Sequence, residues 1–416
     1  TTEIYTLSLH DALPIYMIDQ VLIEMVEKYP FRGIQLDYIR YYDNNYNQTP
    51  IRDSGFGELS EARFKEAYGL TGDVRTLVLQ SQGKEQWNEW RQTQVTHAVA
   101  HFASTLRSLD KNVLLTAAVV GDITSARNTY MQDWLTWVNH GYIDMLHPMI
   151  YAQSADHVSR LSQQVFDQCS NLTYLAVGIA AIYYQYSVMS QHEQMLVTQQ
   201  TGGQAIFASH NVIGLEEVEK QVQFGPYRFE SVSPFDEASL LVKRTNELIR
   251  PMILSLQKEA SIEQMFLLKL QQLESLALHN PKDYQVAIVE IQSLLTTLPY
   301  LQDAFVEAQI TIHVERLVHV LDYRISRELI QLGYYHPEVE SRPDPSLFDY
   351  PPVEDPTDPT DPTDPTDPTD PSDPGADETP EIPTTPSLFQ IIATIVSILS
   401  SGVFAYFAIR HFRKGA

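Results

Sequence analysis

The sequence predicts an α/β chain: a partial (β/α)8 TIM barrel holding strands four to eight, then a helical domain, a disordered linker and one C-terminal transmembrane helix. Three observations carry this. Five short, mostly apolar runs alternate with helical patterns, as do strands buried on both faces of a parallel sheet. Strand signals then stop and helical stripes alone continue. Near the end, a proline repeat leads into an uncharged stretch of bilayer length.

The first fifteen residues, "TTEIYTLSLHDALPI", resemble translated sequencing-adapter sequence and are read as non-native. The other reading is an ordinary N-terminal segment. Neither is a signal peptide, because a basic start and a continuous apolar core are lacking. The barrel is assigned to residues 17–233. Ile18, Val21, Leu22, Met25 and Val26 recur at helical spacing and Pro30 ends that run. Strands are expected at 31–38, 112–120, 143–151, 173–180 and 204–209, and helices near 84–109, 131–140, 157–169 and 191–200. A closed barrel needs eight strands, so the segment reads as N-terminally truncated.

Residues 234–336 carry apolar stripes such as Ile310, Val314, Leu317, Leu321 and Ile325, which predict three or four packed helices. Residues 337–386 form the linker, where "DPTDPTDPTDPTDPTDPSDPG" places proline at every third position. Neither helix nor sheet propagates through such a repeat, and like charges extend it further, at about 3 Å per residue. Residues 388–409 hold 22 residues without a charge, about 33 Å of helix. Arg410, Arg413 and Lys414 follow in the tail, 410–416. The positive-inside rule puts that end in the cytoplasm and all preceding residues outside.

The formal net charge of −25 excludes nucleic acid as a natural partner. Thirteen acids and no base lie in 343–386, so about half of that charge says nothing about a site. One cysteine, Cys169, excludes a disulfide framework. Nothing in the sequence calls for a metal or a cofactor.

Barrel chemistry sits at the C-terminal ends of strands. There, "GIQLDYIRYY" places Asp37, with Tyr38 and Arg40 behind it, and "LLTAAVVGD" places Asp122. His147 and Tyr151 stand at another strand end. Two carboxylates at a barrel mouth suit glycosidic bond cleavage, one as proton donor and one as nucleophile or base. Asp37 is the first candidate for catalysis and Asp122 the second. Tyr38, Arg40, Trp90, Arg91, His147 and Tyr151 are candidates for sugar contact. The competing reading makes a strand-end acid a helix cap or an ion-pair partner, for Asp37 a partner of Arg40.

"RGIQLDYIRYY" resembles the signature of glycosyl hydrolase-like family 10, Gly-(Ile/Val)-His-Leu-Asp-Tyr-(Ile/Phe)-Arg-Tyr-Pro. "WNEWRQTQV", with Trp87, Trp90 and Arg91, agrees with it. So does "YMQDWLTWVNHGYIDMLHPMIY", with Asp133, Trp134, Trp137, Gly141, Asp144, Pro148, Met149 and Tyr151. The resemblance covers roughly residues 18–215. It implies a barrel acting on extracellular glycans, a signature on the fourth strand, and a conserved acid at Asp37. Gln35 and Tyr42 depart from the signature's His and Pro. "IDMLHPMIY" also resembles the Met-x-Tyr strand of family 18 chitinases, but their Asp-x-x-Asp-x-Asp-x-Glu series is absent. The reading is therefore a membrane-anchored extracellular glycoside hydrolase whose partner is carbohydrate. The rival is a non-catalytic surface glycan-binding or adhesive protein on the same scaffold.

Overall fold

The structure, a computed structural model, describes residues 12–42, 54–109, 112–169, 171–209, 212–225, 227, 233–337 and 339–350. The predicted transmembrane segment 388–409, the basic tail and the proline repeat lie outside the described residues. Among the described residues no helix is long and apolar enough to cross a membrane.

Five strands form one sheet in chain order: β1 (Gly33–Leu36), β2 (Leu114–Val120), β3 (Met145–Met149), β4 (Tyr174–Ile179) and β5 (Gly203–Ile206). All four pairings are parallel. This is the expected α/β arrangement, and each strand falls within or one residue outside its expected range. Helices α1 (Ala12–Lys28), α2 (Glu58–Tyr68), α3 (Val74–Leu77), α4 (Ser81–Leu109), α5 (Ile123–Tyr130), α6 (Trp134–Asn139), α7 (Ala155–Cys169), α8 (Val188–Val197) and α9 (Glu216–Phe224) accompany the strands. Helix α1 begins at Ala12, so the end of the adapter-like segment is helical.

Ile34, Leu115, Ala117, Val119, Leu146 and Leu175 are buried with Val95, Val99 and Phe102 of α4 and Trp134 and Trp137 of α6. This face of the sheet is the one the helices cover. Strand side chains alternate between faces, so the opposite face carries Gln35, Thr116, Ala118, His147, Ala176, Gly178 and Ala205. The register keeps them in rows, Ala118 beside His147 and Gly178 beside Ala205. Small residues dominate these rows, and Ala118, Ala176 and Gly178 among them are buried.

The helix expected at 131–140 is present as α6, and a further helix that was not expected, α5, precedes it across a turn. Asp122 caps α5, accepting from the Ser125 backbone N–H at 2.8 Å, and Met131 turns the chain with a φ of 55°. Val120 and Gly121 precede that cap. A Cβ at Gly121 would lie 2.8 Å from the Ile150 side chain, so only glycine fits there.

Four helices complete the fold: α10 (Ala238–Ser255), α11 (Ala260–Glu274), α12 (Pro281–Leu295) and α13 (Ala304–Gln331). Ile310, Val314, Leu317, Leu321 and Ile325 of α13 are all buried, as their spacing implies. They pack with Phe266 and Leu270 of α11 and Ile291 and Leu294 of α12. Residues 337–386 were expected to be linker, yet residues 339–350 of that range pack back onto the helices. Phe348 stacks on Tyr334 with ring centroids 4.4 Å apart, and Pro345 is buried. Two aromatics and a buried proline supply this contact.

Helix α13 meets the sheet at the N-terminal ends of the strands. Tyr323 donates from its hydroxyl to the Asp144 carbonyl at 3.0 Å, and Arg327 Nε lies 2.6 Å from Asp144 Oδ1. Arg316 donates to the Gly202 carbonyl at 3.0 Å. Asp144 and Gly202 directly precede β3 and β5. The helical region therefore packs at the end of the sheet opposite Asp37.

Candidate functional site

The site is built from strand ends. Asp37 leaves β1 exposed, and its Oδ1 accepts from the Tyr38 backbone N–H at 2.8 Å. Tyr38 has a φ of 54°, a left-handed conformation that a bulky residue adopts at a cost of about 1–3 kcal/mol. That turn leaves the Tyr38 ring 70% exposed. The Arg40 guanidinium lies 4.8 Å from the Tyr38 ring centre and 5.2 Å from that of Tyr130. Arg40 thus sits between two ring faces, a cation–π arrangement, and forms no ion pair with Asp37.

Gln132 fixes the turn from behind and is fully buried. Its Oε1 accepts from Val120 N–H at 2.8 Å, while its Nε2 donates to the carbonyls of Ile39 and Ala118 at 3.3 Å. The end of β2 and the loop after Asp37 are joined through this one amide. Trp134 Nε1 adds a bond to the Val120 carbonyl at 3.0 Å. A lone buried glutamine in a Trp-rich run gave no sequence signal of this role.

Tyr151 follows β3. Its ring lies 5.7 Å from Phe207, after β5, and 6.0 Å from Tyr184, after β4. Tyr183 contacts both Tyr184 and Phe207 at 5.1 Å. Four rings from three strand ends make one aromatic wall. Tyr183, Tyr184 and Phe207 were not singled out from the sequence, although "IYYQY" directly after a strand was the available signal. Burial pushes the Tyr151 phenol up to about 12, and the Asp37 charge and then Tyr184 add to it, with Arg40 opposing. Tyr151 therefore stays protonated and within the electrostatic reach of Asp37.

His147 lies on the face of β3 opposite the helices of the buried core. The β1–β2–β3 register puts it in the row that Asp37 continues, with Ala118 between them. Two strand spacings separate the two, on the order of 10 Å. Burial pushes the imidazole below its ordinary value, and a bond with the Ala176 backbone works the other way. Its Nδ1 has no partner among the described residues. A neutral imidazole here can bond a hydroxyl in either direction.

The remaining candidates lie elsewhere. Asp122 caps α5 and has the structural role that the sequence left open. Trp90 and Arg91 are buried in α4, at 6% and 0% exposure. Trp90 stacks on Trp87 at 5.1 Å and meets Phe64 edge-on. Arg91 donates to the Ser54 carbonyl at 2.9 Å and to Asn88 Oδ1 at 2.7 Å, and lies 5.1 Å from the Tyr41 ring centre. The expected sugar contact by these two is corrected: they are buried in a separate cluster with Trp87, Phe64, Ser54 and Tyr41. Their helical spacing could not show which face they occupy.

Asp37, Tyr38, Arg40, His147 and Tyr151 are thus brought to one end and one face of the sheet. Residues 9–197 match the family described as Glycosyl hydrolase-like 10. Among solved structures, the glycoside hydrolase domain of PgaB (BpsB) from Bordetella bronchiseptica is similar, with 11% identity and a TM-score of 0.40, over 50% of this chain and 60% of that one. This chain thus spans about three fifths of that domain's length. No curated protein matches it. Residues 9–197 are accordingly similar to the glycosyl hydrolase-like 10 family, the one that the signature around Asp37 resembles.

Proposed function

We propose that this protein cleaves O-glycosidic bonds of a poly- or oligosaccharide at the end of the sheet that carries Asp37. The observation carrying this is the placement of one exposed carboxylate at a strand end, beside an aromatic wall, inside a glycosyl hydrolase-like region. Tyrosine faces suit the C–H faces of sugar rings. Asp37 supplies negative charge where an oxocarbenium-like transition state is positive, or attacks that centre directly. Tyr151, held protonated, donates to the sugar or to Asp37. Arg40 and His147 bond hydroxyls.

One observation favours the rival reading of a glycan binder without catalysis: Asp122, the second candidate carboxylate, is engaged as a helix cap. Incubating the protein with a panel of soluble and insoluble polysaccharides separates the two. New reducing ends together with retention on the glycan are expected. Retention without new ends would leave the binder, and neither result would sink both readings.

We further propose that the chain is anchored by residues 388–409 with the sheet outside the cell. The support is an uncharged 22-residue stretch followed at once by Arg410, Arg413 and Lys414. Protease added to intact cells should remove the glycosyl hydrolase-like region and leave a small membrane fragment containing residues 388–416. Protection of that region until the cells are lysed would reverse the orientation.

A further inference from the structure

A second hollow, of about 490 Å³, opens at the other end of the sheet. Helix α7 contributes Gln163 and Phe166, β4 contributes its first residue, Tyr174, and α13 contributes Glu315, Arg316 and His319. The volume lies within the range of small-molecule sites, ~300–1,000 Å³. None of these residues belongs to the mouth described above.

The walls differ in chemistry. Three rings form one side: His319 lies 4.7 Å from Phe166 and 6.3 Å from Tyr174, the latter at an interplanar angle of 30°. Arg316 and Glu315 supply opposite charges at the rim, so the hollow selects neither an anion nor a cation. Arg316 is held in place by its bond to the Gly202 carbonyl, which leaves other guanidinium N–H groups to donate. His319 Nε2 is buried and has no partner among the described residues. A buried ring nitrogen without a partner is unfavourable, and a hydroxyl can satisfy it in either tautomer, since it both donates and accepts.

We propose that this hollow is a second saccharide site, taking a neutral sugar ring against Phe166, Tyr174 and His319, with hydroxyls bonded to His319, Arg316 and Glu315. Burial supports the neutral state of His319: it pushes the imidazole down to about 4, with Asp322 opposing. The choice of a sugar rests on the glycan reading of the mouth. Two saccharide sites at opposite ends of one sheet would let the protein hold a long glycan while the mouth acts on it.

The test is saturation-transfer NMR titration of the full-length protein, in a detergent without a sugar headgroup, with cellobiose, maltose and N,N′-diacetylchitobiose. The variants are His319→Phe, which keeps a ring and removes the nitrogen, Glu315→Ala on the exposed rim, and Tyr184→Ala at the mouth. Each groove variant should weaken one binding event about fivefold, the value of one hydrogen bond of ~1 kcal/mol, and Tyr184→Ala should leave that event intact. Glu315→Ala keeps the test decisive if His319→Phe unfolds, because Glu315 is exposed. Binding that responds to Tyr184→Ala alone overturns the second site and leaves the mouth reading standing. Binding that responds to the groove variants alone upholds the second site and counts against the mouth. Absence of binding by all three sugars overturns the second site.

Discussion

Asp37→Asn, made in the full-length protein, is expected to lower turnover on the glycan by several orders of magnitude with little loss of binding or of melting temperature. The substitution keeps size and shape and removes the charge that would stabilise the oxocarbenium-like transition state or form the covalent intermediate. Asparagine retains an oxygen that can accept from the Tyr38 N–H, as Asp37 does at 2.8 Å, so the turn should survive. The wall of Tyr151, Tyr184 and Phe207 is untouched, so affinity should persist. A structural Asp37 predicts the opposite pattern, a lower melting temperature with activity retained. A second readout does not depend on activity. The Asp37 charge raises the Tyr151 phenol, so the variant should titrate Tyr151 below about 12, yet above the ordinary tyrosine value, because burial is the larger cause. Ultraviolet difference titration measures this. Turnover within about tenfold of the parent, a barrier change of only ~1.4 kcal/mol, would remove Asp37 from the catalytic role.

The strands were legible because the strands of a parallel sheet read as apolar runs, and all five lie where such runs occur. Their C-terminal ends then located Asp37, His147 and Tyr151 without knowledge of contacts. Capping and catalysis ask for the same residue at the same place, so Asp122 read equally well as either until its bond to Ser125 was seen. Trp90 and Arg91 failed for another reason. Residues on a helix report their spacing, not their neighbours, and the neighbours of Arg91 come from Ser54 and Tyr41. The helical region was found from its stripes, but its place against the N-terminal ends of the strands depends on pairs such as Asp144 and Arg327, which are 183 positions apart. No local pattern encodes such a pair.

That pair carries the second large effect. Asp144 is 3% exposed, and both of its oxygens are engaged: Oδ1 with Arg327 Nε at 2.6 Å and Oδ2 with the Leu115 N–H at 2.8 Å. Burial works against the Arg327 charge, and Asp144, with Tyr323 and Glu328 adding to it, leaves the guanidinium held above its ordinary value. Asp144→Ala removes the partner of a mostly buried cation and strands a buried backbone N–H at the start of β2. Breaking a buried pair costs ~3–5 kcal/mol, and the Arg327 side chain keeps 21% exposure, so a loss of about 3 kcal/mol is expected. Urea unfolding followed by tryptophan fluorescence measures it, since Trp134 and Trp137 pack against the sheet. Asp144→Asn should lose less, because its oxygen can still accept from Leu115. The double variant Asp144→Ala with Arg327→Met should be more stable than Asp144→Ala alone, because it removes the uncompensated charge as well as the carboxylate. A loss below about 1 kcal/mol for Asp144→Ala would place the pair with ordinary surface ion pairs and undo its role as the clamp between α13 and the sheet. Because Asp144 stands at the opposite end of the sheet from Asp37, glycan turnover measured well below the melting temperature should stay near the parent value, which separates this variant from Asp37→Asn.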